Sequence, residues 1–225
     1  MQQAYFIAGT DTDVGKTSIA AGLLAAARQQ GKSTLAIKPV ASGCELTAEG
    51  LRNSDALALQ AESSLQLPYS AINPFAFAPA IAPHIAAVEV GVKLSVAALV
   101  PPIQQVLAHS ADFTLVDGAG GWRVPLSEQE LLSDLAKALQ IPVILVVGVR
   151  LGCISHALLT AEAIQADGLP LAGWVANVIE PHTSRLAQNL ETLKQLMPAP
   201  CLGVVPFTQP YSAAAVAPYL QLPPI

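Results

Sequence analysis

Short runs of near-continuous apolar residues recur along the chain, at 4–8, 34–37, 113–116, 142–147, 171–176 and 201–205. Apolar and polar residues do not alternate within them, so each run predicts a strand covered on both faces. Between the runs, apolar positions return at helical spacing, and helices are predicted over 15–30, 54–62, 95–108, 128–139, 155–167 and 184–196. Strand and helix in alternation predict an α/β fold: a mostly parallel sheet, right-handed crossovers, and helices on both faces. The stretch from 65 to 83 breaks the pattern. It is rich in Pro, Ala and Phe and reads as an ordered loop near the strand ends. With no repeat and no linker, a single domain over 1–225 is expected.

Composition narrows the class. Apolar residues make up 52% and charged residues 12% of 225, enough to bury a large core. A net charge of −5 argues against nucleic acid as a partner, which calls for a basic patch. A small anion needs only two or three local cations. Cys44, Cys153 and Cys201 are odd in number and widely spaced, so neither a disulfide framework nor a zinc site is indicated. The start, Met1-Gln2-Gln3-Ala4-Tyr5, does not read as a signal peptide, and the longest apolar run, 141–149, is far short of a membrane span. A cytoplasmic protein with no membrane partner is expected.

The first candidate chemistry follows the first strand. Gly9-Thr10-Asp11-Thr12-Asp13-Val14-Gly15-Lys16-Thr17 lies between an apolar run and a long helical pattern. Backbone N–H groups at a helix N-terminus face outward, and the helix dipole favours an anion there. Gly15 allows close approach to phosphate, Lys16 reaches the outer phosphates, and the Thr17 hydroxyl suits Mg²⁺. Five residues rather than four separate Gly9 from Gly15, so the loop departs from the common G-x-x-x-x-G-K-[ST] spacing by one.

Further polar residues fall where strands end. Asp117 follows the run 113–116, where a second metal-holding carboxylate belongs in such folds; with Gly118-Ala119-Gly120-Gly121 behind it, a plain turn also fits. Lys38 ends the second strand and points to the crevice where α/β proteins bind ligands, though solvated lysines are common. Ser42-Gly43 nearby offer a hydroxyl and a free N–H. Asp55 in Asn53-Ser54-Asp55-Ala56 suits the first turn of its helix, as ligand or as dipole partner. Asp11 and Asp13 either solvate the loop or need a cation between them and the phosphates. Arg150-Leu151-Gly152-Cys153-Ile154-Ser155 reads equally as an anion-binding helix N-terminus or an ordinary turn. Cys153 is best read as an inert buried thiol, and His84 as structural or loop-positioning. Asn177 can donate and accept together, which suits an adenine edge or a turn.

Taken in order, these segments resemble the dethiobiotin synthetases, ATP-dependent enzymes that close a ureido ring in biotin synthesis. The resemblance rests on Gly9 to Thr17, on Lys38-Pro39-Val40-Ala41-Ser42-Gly43, Asn53-Ser54-Asp55-Ala56, Pro83-His84, Gly118-Ala119-Gly120-Gly121, Val149-Arg150-Leu151-Gly152-Cys153-Ile154 and Gly173-Trp174-Val175-Ala176-Asn177. The longer phosphate loop is that family's version. The resemblance implies a P-loop fold, ATP and Mg²⁺ as cofactors, and 7,8-diaminononanoate and CO₂ as substrates. It implies that Asp13, Val14, Gly15, Lys16, Thr17 and Ser18 cradle the phosphates, with Thr17, Asp55 and Asp117 on Mg²⁺ and Asn177 and Pro206 at the base. Lys16 and Lys38 would neutralise a substrate carbamate, with Thr12, Ser42 and Gly120 holding the diamine end. Backbone at Leu151, Gly152, Cys153, Ile154 and Ser155 would receive the substrate's carboxylate from across a homodimer.

Three departures stand against that pattern. The family usually has Glu where this chain has Asp117, one methylene shorter, so a bridging water is expected there. Asp13 stands where Glu or Gly is common. Pro79 lies one position early in the loop 77–82, and from Glu180 onward only Val205-Pro206 match. Two rivals remain. A cobyrinic-acid-diamide type of synthetase carries a glutaminase domain for which 225 residues leave no room. A ParA-like ATPase switch carries a lysine where this chain has Asp11.

Overall fold

In the computed structural model, which describes residues 3–224, the six apolar runs pair into one parallel sheet. The first two residues and the last lie outside the description, and with them the reading of the chain's start and the ends of the expected 1–225 domain. The elements run β1 (Gln3–Gly9), α1 (Lys16–Gln29), β2 (Thr34–Ile37), β3 (Val40–Ala41), β4 (Glu45–Thr47), β5 (Gly50–Arg52), α2 (Ser54–Glu62), α3 (Tyr69–Ile72) and β6 (Phe75–Ala76). They continue with α4 (Pro83–Glu89), α5 (Val96–Leu107), β7 (Phe113–Asp117), α6 (Leu132–Leu139), β8 (Val143–Val149), α7 (Cys153–Ala166), β9 (Leu171–Val178), α8 (Leu186–Leu196), β10 (Cys201–Val205) and α9 (Ala213–Val216), the last followed by a 3₁₀ turn at Ala217–Tyr219.

The sheet order is β10-β9-β8-β1-β7-β2. The chain leaves β1 in one direction for β2, with β7 later filling the place between, and then builds outward on the other side. The order therefore reverses around β1, and the crevice beyond its C-terminal end is where such sheets bind ligands. Successive residues of each strand feed opposite cores. Phe6 and Ala8 of β1, with Leu145 and Val147 of β8, pack toward α5, α6 and α7. Tyr5 and Ile7 of β1, with Ile144 and Val146, pack toward α1, α2 and α9. Two covered faces explain why the runs carry no polar alternation.

Local chemistry sets the ends. The Asn53 side chain accepts from the Ala56 N–H and starts α2 at the predicted residue. The predicted helix from 128 begins only at Leu132. Residues 126–130 instead form a tight loop, with Leu126 N–H donating to the Glu130 carbonyl at 2.8 Å and Leu132 N–H to Val124 at 2.7 Å. The stretch 65–83 is an ordered connection, but it is not all loop: it holds α3 and β6, which pairs with β3. The hairpin β4–β5 also lay outside the apolar pattern, since β4 is exposed throughout.

The glycine-rich loop after β7 is fixed from behind. Trp122 donates from Nε1 to Asp167 Oδ2 at 2.8 Å and packs edge-on against Phe6, while Arg123 pairs with the same carboxylate oxygen at 2.7 Å. Asp167 closes α7, so one acid anchors the loop to a helix end across the core. Asp167→Ala is expected to lower stability by about 1–3 kcal/mol, read as a shifted urea midpoint with an unchanged slope.

Candidate active site

The loop Gly9 to Thr17 turns from β1 into α1 against β9. Gly15 caps α1 with φ of 79°, and a Cβ there would run into the Asn177 side-chain amide. That amide donates to the Val14 carbonyl at 2.9 Å, and its oxygen accepts from the Tyr211 hydroxyl at 3.0 Å. Asp13 also has positive φ, 58°, which aspartate tolerates better than most residues. The loop is thus held in a ring with the N-terminus of α1 open toward the crevice.

Lys16, Thr17 and Ser18 line the crevice, a cavity of about 770 Å³ shared with Thr12, Asp13 and Gly15. Lys38, Ser42, Asp55 and Gly120 line it as well. Of the sequence-predicted residues, these ten meet in one place. Lys16 is buried and reaches back to the Asp11 carbonyl at 3.3 Å. Burial lowers its pKa, against the opposing pull of Asp117. Gly120, with φ of 60°, lies beside the Thr12 hydroxyl.

At the floor lies a charge cluster. Lys38, 4% exposed, donates to Asp55 Oδ2 and to Asp117 Oδ2, each at 2.9 Å, and to the Gly118 carbonyl at 3.2 Å. The Thr17 hydroxyl donates to Asp117 Oδ2 at 2.8 Å. Asp117 is fully buried and its other oxygen, Oδ1, has no partner. Burial alone would lower the Lys38 pKa, but Asp117 and Asp55 outweigh it and raise the ammonium to about 12. Burial pushes the Asp55 carboxyl up, yet the Lys38 charge and hydrogen bond hold it below its ordinary value.

A hydroxyl and two carboxylates form a hard-oxygen donor set. It suits Mg²⁺, which keeps several waters and takes few protein ligands. Among the described residues no group of three His, Cys, Asp or Glu side chains forms a denser cage. The unpartnered Asp117 Oδ1 is a buried acceptor that a metal or its water would satisfy.

Other expected residues fall elsewhere. Asn177 and Val205 are paired neighbours on β9 and β10, which sets Pro206 beside Asn177 at the rim, outside the main cavity. Leu151, Gly152, Cys153, Ile154 and Ser155 line a separate surface cavity at the start of α7, together with Arg150. His84 lies in α4 and lines another cavity with Ile85, Leu94 and Leu126. Two contacts had no sequence signal. Arg150 pairs with Asp11 at 2.6 Å, so the cation that offsets this loop acid is the protein's own. Tyr211, in the C-terminal segment without a motif, reaches the Asn177 amide.

A phosphate-cradling turn on a parallel sheet, with a lysine and a hydroxyl at the helix start, defines a P-loop nucleotide-binding protein. The AAA domain family matches residues 3–215. The ATP-dependent dethiobiotin synthetase BioD of Pseudomonas aeruginosa is 65% identical over 99% of this chain and 97% of its own length. That of Cellvibrio japonicus is 58% identical over 100% and 98%, and BioD 1 of Salmonella typhi 51% over 100% and 99%. The chain belongs to the ATP-dependent dethiobiotin synthetases, ligases of biotin synthesis, within that AAA domain family. Among solved structures, MinD of Pyrococcus horikoshii with Mg-ADP superposes with a TM-score of 0.60 at 16% identity, covering 96% of this chain and 93% of that one. A ParA family ATPase of Chlorobium tepidum gives 0.58 at 15%, covering 97% and 94%. Both share the fold.

The charge cluster makes stability depend on pH at both extremes. Asp55 is depressed, so its contribution is present above its ordinary value of 3.8 and is lost as pH falls. Lys38 is raised, so its contribution is present below 10.5 and is lost as pH rises through about 12. Asp55→Asn should be less stable than wild type at neutral pH, and the gap in urea midpoints should begin to narrow below about pH 4 and shrink further with acid. A gap independent of pH would show that Asp55 contributes no ionic term.

Proposed function

We propose that the protein carboxylates 7,8-diaminononanoate with CO₂ and closes the ureido ring of dethiobiotin, converting ATP to ADP and phosphate. The reading is carried by one observation: Lys16, Lys38, Thr12 and Ser42 converge on the cavity at the mouth of the phosphate loop. One amine takes up CO₂ as a carbamate. A carbamate oxygen attacks the γ-phosphorus and ADP leaves. The neighbouring amine then attacks the carbonyl carbon, and phosphate departs as the ring closes. No step needs a protein nucleophile; the chain supplies positioning and fixed positive charge.

Each residue has a part in that reading. The N–H groups of the loop and the N-terminus of α1 hold the phosphates, with Asp13, Val14, Gly15 and Ser18 shaping the cradle. Lys16 and Lys38 neutralise the carbamate and the transferring phosphoryl group. Thr12, Ser42 and Gly120 orient the diamine. Thr17, Asp55 and Asp117 hold Mg²⁺, which when bound offsets phosphate charge. Asn177 and Pro206 receive adenine, with the Tyr211 hydroxyl giving up the Asn177 oxygen to the base.

The protein acts as a homodimer in this reading. Leu151 is 97% exposed at the start of α7, a large apolar side chain that a partner surface would cover. Backbone N–H groups of the segment ending at Ser155 would there bind the substrate carboxylate of the other subunit. The cytoplasm is the proposed location, in keeping with three free cysteines; no helix among the described residues is long and apolar enough to cross a membrane.

The test is ADP release with ATP, Mg²⁺, bicarbonate and 7,8-diaminononanoate. Release should require the diamine; diamine-independent hydrolysis stimulated by DNA or a membrane partner would sink the reading. Lys38→Ala should cut dethiobiotin formation by about 100-fold or more while ADP still binds. Loss of ADP binding would show that Lys38 serves the nucleotide instead. Asp117→Ala should lose Mg²⁺-dependent turnover; full turnover would remove Asp117 from the metal site.

A further inference from the structure

Lys38 makes contacts that its part at the substrate does not use. Its ammonium donates to Asp55 Oδ2 and Asp117 Oδ2 at 2.9 Å, and lies 3.5 Å from Thr17 Oγ1. These three side chains are the donors assigned above to Mg²⁺. The fourth contact, the Gly118 carbonyl at 3.2 Å, completes an all-oxygen shell around one cation. Lys16, the other lysine of the cavity, touches neither carboxylate and hydrogen-bonds to a backbone carbonyl.

We propose that the Lys38 ammonium is a place-holder for the divalent metal, and that metal entry releases Lys38 toward the substrate. A metal and an ammonium on the same two carboxylates repel each other strongly in so buried a site, even where the metal enters through the unpartnered Asp117 Oδ1. The carboxylates have the same constraint in reverse. Asp117 is fully buried, and a buried carboxylate without a cation is strongly unfavourable, so one cation must always be present. A lysine suits that exchange, having a compact charge on a flexible four-carbon stem. Its donors are all engaged while it serves the two acids, and only after release can they turn to a carbamate. The exchange sets an order: the metal arrives first, and the charge-neutralising group becomes available second. This rests on the metal assignment in the proposed function, and the two are separable.

The experiment measures Mn²⁺ binding to the full chain by electron paramagnetic resonance, without nucleotide. Lys38→Met should bind Mn²⁺ about tenfold or more tightly than wild type, whereas Lys16→Met should change affinity about threefold or less. Lys38→Arg, which keeps the cation, should remain as weak as wild type, and Lys38→Gln gives a second neutral variant if Lys38→Met fails to fold. Equal affinity in the neutral variants and wild type would overturn the exchange. An equal gain in Lys16→Met would also overturn it, reducing the effect to general field strength. In the ADP complex, Asp117→Asn should bind Mn²⁺ more weakly. If it does not, the metal assignment has failed; if it does while the neutral variants gain nothing, only the exchange has failed.

Discussion

A buried ammonium must find anions, and the strand order decides which it meets. Lys38 follows β2, Asp117 ends β7, and the two strands are neighbours in the sheet. α1 brings Thr17 to the same point and α2 brings Asp55. Four elements are thereby tied by one buried ammonium that must keep an anion at hand. The depth of the crevice and the set of its walls follow from satisfying that charge. In the phosphate loop beside it, Lys16 is met by backbone and Asp11 by Arg150.

The main sheet was legible because strands covered on both faces carry few polar residues, Thr34, Thr114, Asp117 and Asn177 being the buried exceptions. The runs at 34–37 and 201–205 match β2 and β10 end for end. The helix α2 was legible for a different reason, the side-chain cap at Asn53. The misses have physical causes too. β4 carries no buried residue, so no apolar period marks it. The start of α6 was displaced because the hydrogen bonds at 124–132 close a loop that local propensity does not reveal.

The cavity was legible in part. Glycine, lysine and threonine in the phosphate loop stand at fixed spacing because backbone must approach a ligand, and such spacing is visible in one dimension. Asp117 and Lys38 were readable as strand-end residues, but their mutual contact was not, being a property of sheet order. Asp11 with Arg150 and Asp167 with Trp122 and Arg123 are likewise pairings between distant loops. Opposite charges alone name too many partners for a sequence to choose among.

The contact between Gly15 and Asn177 reaches beyond the single molecule. The Asn177 amide holds the Val14 carbonyl from 163 positions away, and it fills the space a side chain at Gly15 would need. Gly15 cannot gain a side chain while Asn177 stands. A larger residue at 15 would require a smaller one at 177, which would release Val14 and take away the group assigned to the base. The order of any such change is therefore set by the contact: a side chain at 15 becomes possible only after position 177 has shrunk.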